Sequence, residues 1–520
     1  SAFDSRQAEI HLPVNTLGHA EQQPSPTATA ATCCIDLPEN HLAGFTYSHN
    51  GDSAANNFTG FDHDYSPNDS LSIFCFRGNA RRSAPSRGEI AGKPVDVVQD
   101  WAFMTGYNNE NIGGLGIWGG GAGWTGQPLI VRWDRAQKDS LKIKDPAFLN
   151  DENALEVIAG SLCGDIYFLN AATGKPTRKH LTIQQPIKGT VSVDPRKNGL
   201  LYVGQGIGGN KRFGAYVFDM YSGKELLHIP GIDAFAPRKW GAFDSNPLID
   251  SKTGMVFWPG ENGLIYRFDT KDKKIGAITR LRYAHPQLFR HGLEGSMAAF
   301  RNLGYFTDNS GTILCVDLRN MSPRWSADNF DDSDASILFE PAGDTAGYVY
   351  TGSEIDKRAP AGEAAIRKLD ARTGKEIWRF SRRCFGTDIN GRTNSGGILC
   401  SPVLGKKKGS GMVYTVFARI NSNNNGELVG LDATTGHMRF SVVLDNYSWA
   451  SPVDFYDRDG NIYLFLTDVF GTIYLIDGVT GKVLLRKKTG NTFESSPVIV
   501  NDRIVLPARG RNILSYLIHI

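Results

Sequence analysis

The sequence predicts an all-β fold, an eight-bladed β-propeller of four-stranded antiparallel blades whose last blade is closed by an N-terminal strand. Three observations predict it: a strand-turn-strand unit that repeats, a small-residue step ahead of each unit, and an excess of glycine. Glycine supplies 58 of the 520 residues, well above the average usage of about 7%. A glycine excess is typical of chains with many tight turns between strands.

The repeated unit is a short apolar strand that ends in Asp or Asn and is usually followed by a Thr/Ser-Gly turn. These terminal polar residues recur at spacings of 45 to 62 residues, which is the size of a propeller blade. Asp and Asn can bond the backbone just downstream, and glycine supplies a positive φ, so the chain reverses tightly there. We therefore interpret these residues as turn formers. They are Asn170, Asp219, Asp269, Asp317, Asp370, Asp432 and Asp477.

Eight short steps rich in Ser, Gly or Pro lead into apolar strands. In a propeller the first strand of each blade lines the central channel, where small residues fit and proline marks the strand start. Eight steps therefore predict eight blades. The steps begin at Gln127, Gly189, Asn246, Gly295, Ala335, Ser401, Ser451 and Ser496.

The last blade needs a strand from elsewhere, because residues 496–520 leave no room for its outer strand. The segment Val97–Phe103, which contains Trp101, resembles the outer strand around Trp378. We expect it to pair with the C-terminal strand, since ring closure removes exposed sheet edges.

The first part of the chain differs from the repeats. Residues 1–70 are rich in Asn, Asp, Ser, Thr, Pro and Ala and show little periodicity, as in a tail or a surface-wrapping arm. The apolar run Leu71–Phe76 predicts a strand that packs beside the propeller. The predicted division is an irregular N-terminal arm over residues 1–94, which packs on the propeller, and the propeller over residues 95–520.

Charge and cysteine content exclude several functions. The 56 Lys and Arg nearly balance the 54 Asp and Glu, so we expect no nucleic-acid partner. The basic runs Arg81–Arg82 and Lys406–Lys408 are interpreted as solvated loop charges. No apolar stretch approaches the ~20 residues of a transmembrane segment, and we expect none. The seven cysteines include no C-x-x-C pair for zinc or haem.

The repeats resemble PQQ-like (pyrroloquinoline-quinone-like) propeller repeats over roughly residues 95–520. The segments Trp124–Pro128, Lys188–Asp194 and Trp240–Asp244 are most similar to secreted bacterial PQQ-like repeat proteins without an established function. BamB-type propellers and quinoprotein alcohol dehydrogenases are more distant. The resemblance implies an extracytoplasmic protein that is secreted, periplasmic or on the cell surface.

The resemblance to quinone-dependent dehydrogenases implies a pair of adjacent cysteines beside the cofactor. This sequence departs from that pattern. Here the adjacent pair Cys33–Cys34 lies in the N-terminal arm, outside the repeats. The outer-strand Trp that docks neighbouring blades is clear at Trp378. At three corresponding turns it is replaced, by Leu226, Met438 and Leu484. We expect no cofactor, and the alternative is an enzyme that holds PQQ or calcium.

Propellers bind ligands at the channel mouth, the end of the central channel where the loops into the first strands converge. We predict no catalytic group there. The candidate ligand-binding residues are Trp124, Trp240, Asp244, Glu294, Asp334, Asn394, Trp449 and Glu494. Their carboxylates and indoles could hold a cation or stack a planar ligand or a sugar ring. Alternatively, the indoles fill the channel mouth, and the carboxylates accept hydrogen bonds from backbone amides or pair with Lys188, Arg238 or Arg290.

The sequence thus predicts a non-catalytic binding or scaffolding propeller that presents its channel-mouth face to a protein, glycan or small ligand. One alternative is a quinone- or calcium-dependent dehydrogenase. The other is a structural surface protein that self-associates through its N-terminal arm.

Overall fold

The structure is a computed structural model that describes residues 34–520 except 38–39, 55, 63, 67–68, 209–211, 290 and 390–391. Only the backbone is described for residues 387–389 and 392–394. The chain divides into two compact units, residues 1–32 and residues 33–520, and the described residues belong to the second. Strands dominate this unit, so the predicted all-β class is confirmed.

The described residues contain eight antiparallel sheets with four blade strands each, numbered here in chain order as blades 1 to 8. Blade 1 consists of Leu129–Arg132, Leu155–Gly160, Asp165–Asn170 and Leu181–Thr182. Blade 2 consists of Ser192–Val193, Leu200–Gly204, Gly214–Asp219 and Lys224–Pro230. Blade 3 consists of Leu248–Ile249, Met255–Pro259, Leu264–Asp269 and Thr279–Ala284. Blade 4 consists of Ala298–Phe300, Leu303–Thr307, Thr312–Asp317 and Ser322–Asp328.

The second half of the ring follows the same order. Blade 5 consists of Leu338–Pro341, Gly347–Gly352, Ala361–Asp370 and Glu376–Phe385. Blade 6 has its first strand in two pieces, Gly396–Ile398 and Val403–Leu404, followed by Met412–Ala418, Glu427–Asp432 and Met438–Val443. Blade 7 consists of Val453–Tyr456, Ile462–Thr467, Thr472–Asp477 and Val483–Lys488. Blade 8 consists of Val498–Val500, Arg503–Pro507, Asn512–His519 and Asp96–Met104.

The described residues also form short elements outside the four strands of each blade. Strands that extend a blade are Thr46–Asn50 on blade 3, Glu354–Ile355 on blade 6 and Ser86–Arg87 on blade 8. Two further small sheets contain Thr387–Ile389 with Arg392–Asn394, and Asn108–Asn111 with Ile117–Gly121 and Arg509–Gly510. The α-helices are Arg135–Ser140 and Pro146–Asn150, and the 3₁₀ turns are Lys271–Lys273 and Lys407–Gly409.

The N-terminal strand closes blade 8, as predicted. Asp96–Met104 pairs antiparallel with Asn512–His519, and Trp101 stands opposite Ser515. The Trp101 indole donates its Nε1 hydrogen to the Ala171 carbonyl of blade 1 at 2.9 Å. The strand therefore completes the last blade and also joins it to the first.

In several blades, an aromatic ring on the outer strand packs against a turn glycine of the next blade. Trp325 packs against Gly374 and Trp378 against Gly436. The expected replacement of this aromatic residue by Met438 is wrong, because Phe440 packs against Gly481. Phe440 stands four residues after its own turn glycine, as Trp378 does.

A chain of hydroxyl-to-amide hydrogen bonds connects the first strands of successive blades. The Ser296 amide donates to Ser336 Oγ at 3.0 Å, and the Ser336 amide donates to Ser401 Oγ at 3.0 Å. The series continues from Ser401 to Ser451 at 2.9 Å and from Ser451 to Ser496 at 2.9 Å. The small residues of the sequence steps are thus inter-blade acceptors as well as residues that fit the narrow channel.

Replacing Ser401 with alanine is expected to lower the free energy of unfolding by about 1–3 kcal/mol, because the buried Ser336 amide loses its acceptor. Urea unfolding followed by circular dichroism measures this loss. Ser140→Ala is the control, since Ser140 is exposed at a helix end, and its effect should stay within about 0.5 kcal/mol. Equal effects of the two substitutions would contradict a role for the hydroxyl chain.

Residues 73–90 lie against the first strands of the blades, which line the central channel, a position that the sequence did not predict. The segment contacts the first strands of the blades by hydrogen bonds that include Ile73 to Ile130, Val193 to Phe74, Ala299 to Ala80 and Phe339 to Arg81. Ser86–Arg87 adds a parallel pair with blade 8. The predicted strand at Leu71–Phe76 beside the propeller is therefore wrong. We call residues 73–90 the channel segment.

Two arginines of the channel segment are fully buried. Arg82 donates to the carbonyls of Met297, Phe76 and Asn246 and to Asn246 Oδ1 over 2.7 to 2.9 Å. Arg77 donates to the Pro452 carbonyl at 2.7 Å. The interpretation of Arg82 as a solvated loop charge is wrong, since only 1% of it is exposed. These guanidinium groups satisfy carbonyl groups that converge on the channel axis.

Candidate functional site

Two kinds of loop meet at one end of the strands. The loop into the first strand of a blade and the hairpin between its second and third strands share that end, because neighbouring strands are antiparallel. Asp244, Glu294 and Asp334 lie in loops of the first kind, and Glu261 and Glu354 lie at hairpins of the second kind. This arrangement concentrates carboxylates at the channel mouth.

The first carboxylate triplet consists of Asp244, Glu261 and Glu294, which offer oxygen atoms within 4.8 Å of one another. The Lys188 ammonium lies 2.9 Å from Asp244 Oδ2 and 3.9 Å from Glu294 Oε1. The Trp240 indole donates to Glu261 Oε1 at 3.2 Å. This triplet is therefore held by one ammonium group and one indole.

The second triplet consists of Asp332, Asp334 and Glu354, again with oxygen atoms within 4.8 Å of one another. Asn309 donates to Asp332 Oδ1 at 2.9 Å, and the Asp334 amide donates to Glu354 Oε1 at 3.1 Å. Within the described part of the chain, no Lys or Arg nitrogen lies within 4.0 Å of these three carboxylates. The second triplet is thus held by neutral donors only.

Five carboxylate oxygens in these triplets are buried and have no hydrogen-bond partner among the described residues. One of them, Asp244 Oδ2, has the Lys188 ammonium 2.9 Å away as an ion-pair partner. The other four are Asp244 Oδ1, Glu261 Oε2, Asp334 Oδ1 and Glu354 Oε2. Their residues are 2%, 3%, 8% and 0% exposed. Buried polar atoms in native proteins are nearly always paired, and an unpaired buried charge is costly. The arrangement therefore calls for a proton or a cation at each triplet.

The pKa values at the channel mouth are shifted in the same sense. Burial raises the pKa of Asp244 to about 7, and the neighbouring Glu294 adds to that shift. Burial likewise raises the pKa of Glu354 to about 7, and Glu294 again contributes. Burial lowers the pKa of the Lys188 ammonium, but Asp244 and Glu294 outweigh burial and raise it overall. Lys188 is therefore charged, while the carboxylates are crowded with negative charge.

Aromatic residues form a second group next to the carboxylates. The rings of Trp124 and Trp449 are 4.6 Å apart between centroids and inclined at 58°. The Lys188 ammonium lies 5.7 Å from the centre of the Trp124 ring, close enough for a cation–π interaction. Glu494 pairs with Arg509 at 3.0 Å. Lys188 thus connects the indoles to the first triplet.

Seven of the eight predicted site residues have described side chains, and all of them except Glu494, which pairs with Arg509, belong to the triplets or to the adjoining indoles. Asp244, Glu294 and Asp334 lie in the triplets, and Trp240 contacts the first triplet through Glu261. Asn394 belongs to strand Arg392–Asn394, and its side chain lies outside the described residues. Their role in binding a ligand stays a prediction.

The alternative in which the carboxylates pair with Lys188, Arg238 or Arg290 describes part of the site. Asp244 pairs with Lys188, as that alternative expected, whereas Arg238 bonds Asn309 at 2.8 Å. Glu494 pairs with Arg509, and Arg290 lies outside the described residues. Charge pairing therefore covers Asp244, Glu294 and Glu494, and leaves the second triplet unexplained.

Sequence reasoning missed Asp332, Glu261 and Glu354. It was limited to the loops into first strands, which excluded the two glutamates, and in the loop that contains Asp334 it did not include Asp332. Glu261 stands two residues before Gly263, the repeat glycine that precedes the apolar strand ending in Asp269, in the hairpin between the second and third strands. That hairpin lies at the same end as the loops considered. The repeat glycine was therefore an available signal for Glu261.

No family model matches the chain, and no curated protein matches it. Among solved structures it is similar to the quinohemoprotein alcohol dehydrogenase ADHIIG from Pseudomonas putida HK5, at 10% identity and a TM-score of 0.56, over 87% of this chain and 81% of that one. BamB from Moraxella catarrhalis matches at 12% identity and a TM-score of 0.48, over 81% and 98%. The quinohemoprotein alcohol dehydrogenase from Comamonas testosteroni matches at 13% identity and a TM-score of 0.44, over 88% and 82%. At 10% identity, the similarity to the Pseudomonas putida HK5 enzyme shows the fold alone. The chain has the PQQ-like β-propeller fold that its repeats resemble.

Proposed function

We propose that the protein is a non-catalytic binding propeller that holds calcium in the carboxylates of its channel mouth and presents that face to a ligand. The observation that carries the proposal is the set of five buried carboxylate oxygens without hydrogen-bond partners, of which one is paired with Lys188. Calcium binds six to eight oxygen ligands and tolerates irregular geometry. Carboxylates that lack protein donors are suitable ligands for such an ion.

The spacing of the triplets supports calcium. Two oxygens on opposite sides of a calcium ion are about 5 Å apart, since each lies 2.3–2.6 Å from the metal. The ligand atoms of each triplet lie within 4.8 Å of one another. Neither triplet contains His or Cys, the ligands that zinc favours. The donor set is that of a hard cation.

The neighbouring indoles support a ligand that stacks on an aromatic face. Trp124 and Trp449 are half-buried at the channel mouth, so part of each ring faces solvent. Sugar rings and planar groups bind such surfaces. Within this proposal the ligand is a protein or a glycan met outside the cytoplasm.

The described residues include no helix that is long and apolar enough to cross a membrane.

The quinone cofactor of the alcohol dehydrogenases does not fit the indole pair. A planar ring held between two indoles needs about 7 Å between them, because stacked carbon atoms are about 3.5 Å apart. Trp124 and Trp449 are in contact with each other instead. Cys34 donates to the Thr59 carbonyl, and the next residue, Ile35, bonds Asn302 at the opposite end of the strands. These contacts favour a binding protein over a quinone enzyme.

Calcium titration of chelator-treated protein by isothermal calorimetry tests the proposal. We expect saturable binding with a dissociation constant between about 10⁻⁷ and 10⁻³ M. Calcium at 100 times that constant should stabilise the fold by about 2.7 kcal/mol. Asp344→Asn should bind calcium normally, since Asp344 is exposed in the hairpin at the other end of blade 5. Absence of binding at millimolar calcium, or stoichiometric quinone with dye-linked alcohol oxidation, would overturn it.

A further inference from the structure

We infer that the two carboxylate triplets hold different cations: the Lys188 ammonium is the resident cation of the first triplet, and the divalent ion binds at the second triplet, Asp332, Asp334 and Glu354. This inference rests on the proposed function and specifies its site. It predicts one calcium ion per chain, although two groups of carboxylates have suitable spacing.

Lys188 fills the role of a cation in the first triplet. Its side chain is only 11% exposed, and its ammonium lies 2.9 Å from Asp244 Oδ2. A second carboxylate, Glu294, lies 3.9 Å away. The rings of Trp118 and Trp124 lie 5.9 and 5.7 Å from the same ammonium, and aromatic faces attract cations. A divalent ion in this triplet would have to displace a buried ammonium from its partners or tolerate its repulsion.

The second triplet offers oxygen ligands without a resident cation among the described residues. Asp334 Oδ1 and Glu354 Oε2 are buried and unpaired, and the donor to Asp332 is the neutral amide of Asn309. Three carboxylates with oxygens within 4.8 Å of one another repel each other unless a proton or a cation neutralises part of their charge, and a divalent cation neutralises more of it than one proton. Of the two triplets, the second therefore has the greater need for an added ion.

Glu294 connects the two triplets, since it interacts electrostatically with Lys188 and also with Asp334 and Glu354. Two divalent ions, one in each triplet, would repel each other more than one divalent ion and one ammonium. A tethered monovalent cation in the first triplet therefore favours occupation of the second.

Calcium stoichiometry in matched variants tests this assignment. We expect one calcium per chain for the unaltered protein, and at least a ~100-fold weaker affinity for the double variant Asp334→Asn/Glu354→Gln, because ligand charge sets calcium affinity. Lys188→Met keeps the side-chain length and removes the ammonium, and we expect a second calcium site in it. Lys188→Gln provides a second test should the methionine variant fold poorly, as judged by circular dichroism.

Lys239→Met is the matched control, because it removes an exposed lysine in the loop that leads to Asp244. One calcium site in this variant would show that a second site requires loss of the buried ammonium. If Asp244→Asn/Glu261→Gln abolishes calcium binding while Asp334→Asn/Glu354→Gln retains it, the assignment is wrong and the proposed function stands. A single site in folded Lys188 variants would overturn the tethered-cation role. No binding by the unaltered protein would instead refute the proposed function itself.

Discussion

Replacement of Arg82 by methionine is expected to lower the free energy of unfolding by about 3–5 kcal/mol, because several buried acceptors lose hydrogen bonds from a charged donor at once. Arg82 is 1% exposed and donates to three carbonyl oxygens and one amide oxygen. Methionine fills similar volume but donates to none of them. Each buried acceptor left unpaired costs about 1–3 kcal/mol.

The position of these acceptors explains why one side chain has so large an effect. Asn246 accepts from Arg82 and donates its own amide hydrogens to the Thr190 carbonyl and to Ser192 Oγ of blade 2. Met297, a further acceptor, immediately precedes blade 4. A guanidinium group on the channel segment therefore ties blades 2, 3 and 4 together at the axis.

Urea unfolding of the two matched variants Arg82→Lys and Arg135→Met isolates this network. Lysine keeps the charge but lacks the planar fork, so it should lose most of the four hydrogen bonds and give an intermediate loss. Arg135 forms an exposed ion pair with Asp139 on a helix, and its removal should change the free energy of unfolding by less than about 0.5 kcal/mol. An Arg82→Met variant as stable as Arg135→Met would show that the channel segment does not hold the blades together.

The blades could be predicted from sequence because their signals are local and repeated. Turn formers such as Asp370 and Asp432, and the steps at Ser401 and Ser451, follow from backbone chemistry within a few residues. The channel segment could not be predicted in this way. Its contacts join residues more than 200 positions apart, as from Arg82 to Met297, and it has no strand periodicity.

The candidate site was predictable only in part, for a related reason. The loops that contain Asp244 and Asp334 could be located because a marked first strand follows each of them. Glu354 lies between the second and third strands of the same blade, blade 5. Its proximity to Asp334 depends on how that hairpin folds against the loop into the first strand, which no local pattern shows. Sequence periodicity places residues along a strand, whereas each triplet combines residues from different loops.

The docking of Trp325 on Gly374 makes that glycine a sensitive position. Gly374 has a φ of +76°, and a Cβ there would lie 2.5 Å from Trp325 Cε3. Gly374→Ala therefore combines a left-handed backbone cost of about 1–2 kcal/mol with an overpacking cost of about 1–3 kcal/mol. The Trp325 ring has little freedom to move, because it is 1% exposed and its Nε1 donates to the Ala371 carbonyl at 3.0 Å.

Gly223→Ala is the matched control for this prediction, since Gly223 occupies the equivalent turn of blade 2. Its φ is +74°, and a Cβ there would meet no atom within 4 Å. The control should therefore lose only the backbone contribution of about 1–2 kcal/mol, and the difference between the two variants in urea unfolding measures the blade-to-blade contact. Equal losses would mean that the indole moves freely and that aromatic docking does not fix the spacing of the blades. A larger loss for Gly374→Ala would show that Trp325 requires a glycine on the facing turn, a requirement that the same contact predicts for Trp101 of the closing strand and Gly174.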